Sequence, residues 1–153
     1  MKFLILIMLS VFSLIDFAKG APCSGPEVKI HENGGGLVSK KAVVDNSAFI
    51  EKGAMVCDNA KVGKSARVES GSIIFEDAIV TDNAIVKNRA IIRGSAIIYE
   101  SAVVDGRVTV AGNARIYGNS HLEGVGVISG NVHVRGKRHL SGKFGYLKNE
   151  VLD

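Results

Sequence analysis

The 153-residue chain is poor in the features that usually announce chemistry. It has two cysteines, Cys23 and Cys57, and their number and spacing do not make a metal site. A Walker loop, a dinucleotide fingerprint and a G-x-S-x-G elbow are missing, and the glycines recur periodically instead of framing a phosphate-binding turn. Charge of one sign is also scarce: 19 Lys and Arg stand against 15 Asp and Glu, mostly alternating along the chain, which gives no case for a nucleic-acid partner. Beyond residues 1–20 no segment is apolar enough to span a membrane.

Those first residues read as a leader. Lys2 precedes an apolar run from Phe3 to Phe17, broken only by Ser10, Ser13 and Asp16, and Ala18-Lys19-Gly20 follows. A basic start, a short apolar core and small residues predict a secretory signal peptide over 1–20, cut before Ala21, and hence a secreted or periplasmic protein with no transmembrane segment after cleavage. Loss of the leader removes Lys2, Lys19 and Asp16 and lowers the net charge of +4 by one unit. Export permits a disulfide between Cys23 and Cys57, which would tie the N-terminal arm to the body of the protein.

What the chain does contain is a repeat. Val38, Val44, Ile50, Val56, Val62, Val68, Ile74, Val80, Val86, Ile92, Ile98, Val104, Val110, Ile116, Leu122, Ile128, Val134 and Leu140 stand at six-residue intervals without a break. Four residues after each comes a smaller one, Ala42 through Ala66, Ser72, then Ala78 through Ala102, before the pattern loosens to Val108, Ala114, Ser120, Gly126, Val132 and Arg138. Turn-forming pairs such as Lys52-Gly53, Asp82-Asn83 and Gly112-Asn113 lie between. A six-residue period drifts around a helix by about 240° per repeat and makes no apolar face there. In a strand, the small residue and the aliphatic two positions later share a side. Each repeat is therefore a short strand and a corner, and only stacking closes a core.

Three segments per turn give an 18-residue coil, and at a strand spacing of ~4.8 Å about six coils make a prism roughly 29 Å long. The run resembles the hexapeptide-repeat, left-handed parallel β-helix family, whose unit is an aliphatic, a small or polar residue, two turn residues, a small residue and a variable one. The resemblance covers about two-thirds of the chain and supplies the triangular section and the left hand; general crossover sterics favour the opposite hand. The expected organisation is a leader over 1–20, an irregular N-terminal arm or cap over 21–37, an all-β solenoid over 38–142 and a C-terminal cap or tail over 143–153.

The resemblance also implies activities. Family acyltransferases use a histidine base, a loop leaving the coils and often a C-terminal helix, yet here no insertion breaks the register from Val38 to Leu140. Gamma-class carbonic anhydrases hold a metal between subunits with three histidines, which makes His121, His133 and His139 the candidates for zinc or iron. The close ligand pair of that family is spaced by five residues, whereas His133 and His139 are six apart, and its acidic, Gln and Arg constellation is not matched. Ice-binding relatives need ranks of Thr-x-Thr, and only Thr81 and Thr109 occur in the repeats.

The residue before each core aliphatic points outward. Met55, Ile73, Ile91, Thr109 and Val127 form one apolar column, with Cys57, Phe75 and Ala111 beside it, and this face is the expected contact of a homotrimer. Tyr99 and Tyr117 align one coil apart with Arg135 next in their column, which offers a stacking platform for a sugar or peptide. Arg135, Lys137, Arg138, Lys143 and Lys148 make the C-terminal end basic, so an acidic envelope glycan or a lipid headgroup is the expected ligand there. The sequence predicts an exported, non-enzymatic scaffold or surface-binding protein with no cofactor; the alternative is an acyltransferase-like or carbonic-anhydrase-like enzyme.

Overall fold

The computed structural model describes Cys23 and residues 27–153, so the predicted leader and its cleavage point lie outside the described residues. The chain is a single-stranded, left-handed parallel β-helix of about six coils. Most strands are two residues long and too short to twist appreciably, so the right-handed crossover rule, which depends on strand twist, has little purchase.

Stacked strands form three flat faces. The first carries Leu37–Ser39, Met55–Val56, Ile73–Ile74 and Ile91–Ile92, and continues into the ends of Val103–Val110 and His121–Ser129. The second runs from Val43–Val44 through Lys61–Val62, Ile79–Val80, Ile97–Ile98 and Arg115–Ile116 to His133–Val134. The third runs from Phe49–Ile50 through Arg67–Val68 and Ile85–Lys87 to the starts of the two long strands, then His139–Leu140. The first and third faces merge into one 12-stranded sheet because Val103–Val110 and His121–Ser129 pass through the shared corner without interruption. Rungs are joined by backbone bonds such as Met55 N–H to the Ser72 carbonyl at 3.0 Å and Cys57 N–H to the Ile74 carbonyl at 2.8 Å.

The core follows the predicted register. The aliphatics from Ile50 to Val134 are almost wholly buried, and so are the small residues at the corners. Val38 at the start is equally enclosed, whereas Val44 and Leu140 pack only partly against the core near the two ends. Ser72 lies fully inside, and its hydroxyl has no hydrogen-bond partner.

Corners are held in two ways. Asp58, Glu76, Asp82 and Glu100 adopt positive φ, and their carboxylates accept backbone N–H bonds from the following coil, at 3.2 Å from Glu100 to Asp82 and 2.8 Å from Gly118 to Glu100. Glycine replaces these acids further on. Gly112 has φ +66°, and a Cβ there would stand 2.6 Å from the Gly130 nitrogen, so neither conformation nor space admits a side chain.

The N-terminal end is covered, and the C-terminal end is extended. Val28–Ile30 pairs antiparallel with Leu37–Ser39, and the connecting loop lays the Asn33 carbonyl and Gly36 N–H against the backbone of Ile50, closing an edge that would otherwise recruit strands. From residue 27 on, the arm is thus a hairpin where an irregular arm or cap was expected. At the other end the tail does not fold across the prism: Lys143–Lys148 and Val151–Leu152 extend the first and second faces by another rung. A bulge at Phe144 shifts the pairing, so that Val127 meets Tyr146 and Ile128 meets Leu147. The extra residue turns the Phe144 ring over Gly126, whose missing side chain leaves room for it.

Candidate functional site

The three faces differ in what they present. On the first, the outward column reads Leu37, Met55, Ile73, Ile91, Thr109, Val127 and Tyr146. No charge interrupts it, and the bulge adds Tyr146, which is 60% exposed, to the predicted stripe. The second face is broken by Lys61, Arg115 and His133, and the third by Arg67, His121 and His139. Beside the first column, Phe75 is half-buried, Arg93 is exposed and Ala111 is nearly buried. Cys57 is fully enclosed, because it is disulfide-bonded to Cys23 with the two Cα atoms 5.2 Å apart.

The third face gathers titratable groups. His121 and His139 occupy successive rungs, and their rings stack with centroids 5.0 Å apart and planes 15° from parallel. Glu123 lies two residues beyond His121 on the same side of its strand, and its Oε2 is 3.4 Å from His139 Nε2. Asp105 lies one rung before Glu123, largely covered, 3.4 Å from Lys87 Nζ and accepting a 2.6 Å bond from Asn88 Nδ2. His133 is not part of this group. It sits on the second face, edge-on to Tyr117 at 6.4 Å, so within one chain the predicted histidine triad is split and Glu123 takes the third place. Applying the period-two rule to His121 would have picked out Glu123.

The corner after the second face holds Tyr99 and Tyr117, stacked at 4.8 Å and 11°. Burial, reinforced by the neighbouring Tyr117, raises the Tyr99 phenol above its ordinary range. The two rings cover each other's faces and turn edges outward. Arg135 continues the column, and its guanidinium binds the Asp153 carboxylate through both oxygens, with Nη2 to Oδ2 at 2.8 Å. That pairing, with a further contribution from Tyr117, raises the Arg135 guanidinium and holds the Asp153 carboxyl below the usual carboxylate range. Lys137, Arg138, Lys143 and Lys148 remain exposed at this end. None of the helices needed to cross a membrane occurs among the described residues, whose regular elements are all strands.

The fold defines the class as a left-handed β-solenoid with hexapeptide periodicity, carrying an uncharged outward column on its first face and a stacked histidine pair on its third. Comparison with protein-family models, with curated proteins and with solved structures finds no match.

Proposed function

We propose that this protein is a non-enzymatic, exported scaffold or surface-binding module that assembles through its first face, as a homotrimer. The observation that carries this reading is the contrast among columns: the leading outward column of the first face is uncharged from Leu37 to Tyr146, with Arg93 the one cation beside its middle rungs, whereas the corresponding columns of both other faces are interrupted by cations or histidines. An aligned apolar column of this length on a rigid flat surface is suited to a second copy of the same chain. The Cys23–Cys57 bond and the leader-like start support an oxidising compartment. The exposed lysines and Arg138 of the C-terminal end would face an acidic glycan or lipid headgroup.

Sedimentation velocity on the tag-free mature protein tests the reading with two matched variants. Ile91→Lys, on the first face, is expected to reduce the wild-type oligomer to a monomer with an unchanged circular dichroism spectrum. Ile97→Lys, on the second face, should leave it assembled. A monomeric wild type, or an Ile91→Lys variant that sediments as the wild type does, would remove the proposal.

A further inference from the structure

The third face changes character along its length. Its outward residues are Phe49, Arg67, Ile85 and Val103, then His121 and His139, while the next outward column carries Glu51, Glu69, Lys87, Asp105 and Glu123. Strand periodicity puts His121 and Glu123 on one side of a single strand, and rung stacking puts His139 directly against His121. Donor atoms of His121, Glu123 and His139 consequently lie within 4.8 Å of one another. Ligands about 2.0–2.1 Å from a tetrahedral zinc stand roughly 3.3 Å apart, so closure needs side-chain torsions and no backbone movement.

A second observation sets this trio apart from an ordinary surface ion pair. His121 Nε2 is sealed from solvent and makes no hydrogen bond, although Asp105 Oδ2 lies 4.0 Å away. A ring nitrogen kept from water without a partner is costly. A small rotation toward Asp105 satisfies it and leaves Nδ1 to coordinate, the carboxylate–histidine–metal relay by which coordinating rings are commonly fixed. The remaining donors, Glu123 and His139, are each more than half exposed, which provides the entry path.

We propose that His121, Glu123 and His139 form a divalent-cation site complete within one chain, with Asp105 orienting His121. Two imidazoles and one carboxylate suit zinc-class ions, whereas an all-oxygen set would suit calcium or magnesium. An open fourth position faces solvent. This site differs from the one the histidine pattern alone suggests, because Glu123 replaces His133 and no neighbouring subunit contributes.

The test is zinc titration by calorimetry of the tag-free, EDTA-stripped full mature chain, with cobalt absorption as a second readout. One ion per chain is expected to bind in the micromolar range. His121→Gln, Glu123→Gln and His139→Gln should each weaken uptake at least tenfold, Asp105→Asn about tenfold, and His133→Gln less than twofold. All five positions face outward, so folding can be verified by circular dichroism. The Ile91→Lys variant should bind zinc as the wild type does, which separates this proposal from the assembly reading. Absence of saturable uptake below about millimolar zinc overturns it, as would equal losses in His133→Gln and His121→Gln; full affinity in Asp105→Asn would remove the orienting role.

Discussion

The Phe144 ring lies over Gly126 at the C-terminal end of the core, in the place where a side chain on Gly126 would stand. The small column that reads Ala54, Ser72, Ala90 and Val108 thus ends in a glycine and a phenylalanine that share one volume. Gly126→Val is expected to expel the ring and release the last rung, at a cost of about 1–3 kcal/mol from overpacking. Phe144→Ala should cost less than the ~3–5 kcal/mol of a fully buried phenylalanine, since the ring is only partly covered. In the double variant the two losses should be less than additive, because one interaction is removed twice. Urea denaturation of the three variants checks this.

Inside the same column, Ser72 is a hydroxyl among alanines. It is fully buried and has no partner, while the corresponding hydroxyl of Ser120 donates to the Tyr117 carbonyl. Ser72→Ala should therefore stabilise the protein by about 1 kcal/mol, read as a higher urea midpoint at constant slope. Ser120→Ala should not stabilise.

How far the sequence disclosed these features depends on where each residue falls relative to the six-residue frame. Inward aliphatics such as Ile74 and Ile92 were legible because burial imposes one residue class at one period, and the outward column from Met55 to Val127 followed from alternation. Phe144 breaks the frame. With the bulge unseen, Tyr146 could not be assigned to the first face, and 143–153 was expected as a cap or tail without a further rung. Glu123 was overlooked for a different reason: attention to histidines alone ignores the carboxylate that alternation sets beside His121. The pairing of Cys23 with Cys57 was expected as one that export permits, and the structure contains it; its geometry could not be read, since it depends on the path of an arm that has no repeat.

That bond closes the arm onto the first coils over a sequence separation of 34 residues. Cys23→Ser is expected to lower stability by about 3–4 kcal/mol on loop-closure grounds. Reduced wild type should match the variant in urea; if the reduced and oxidised proteins unfold together, the arm contributes no constraint.

Acid should loosen the corners. Asp82 is held below the usual carboxylate range, first by the backbone N–H of Glu100 and then by the Lys64 ammonium. Because the folded value is the lower one, the stabilisation is complete above the unfolded carboxylate value of about 3.9 and is lost as pH falls through the depressed folded value. The side chain is a third exposed, so solvent screening keeps the contribution small. Carboxyl NMR titration should find Asp82 protonating at lower pH than an unstructured aspartate, and Lys64→Ala should recover only the smaller part of the difference. An Asp82 that titrates at the ordinary value would contradict the corner bond.

Self-assembly through the apolar column of the first face is the central claim, and native mass spectrometry of the tag-free mature protein tests it most directly. The account predicts a three-chain mass at micromolar concentration. A two-chain mass would keep the face and replace the threefold arrangement with an isologous pair. A single-chain mass throughout the accessible concentration range would contradict the claim and leave the apolar ladder from Leu37 to Tyr146 as a column that stabilises only its own rungs.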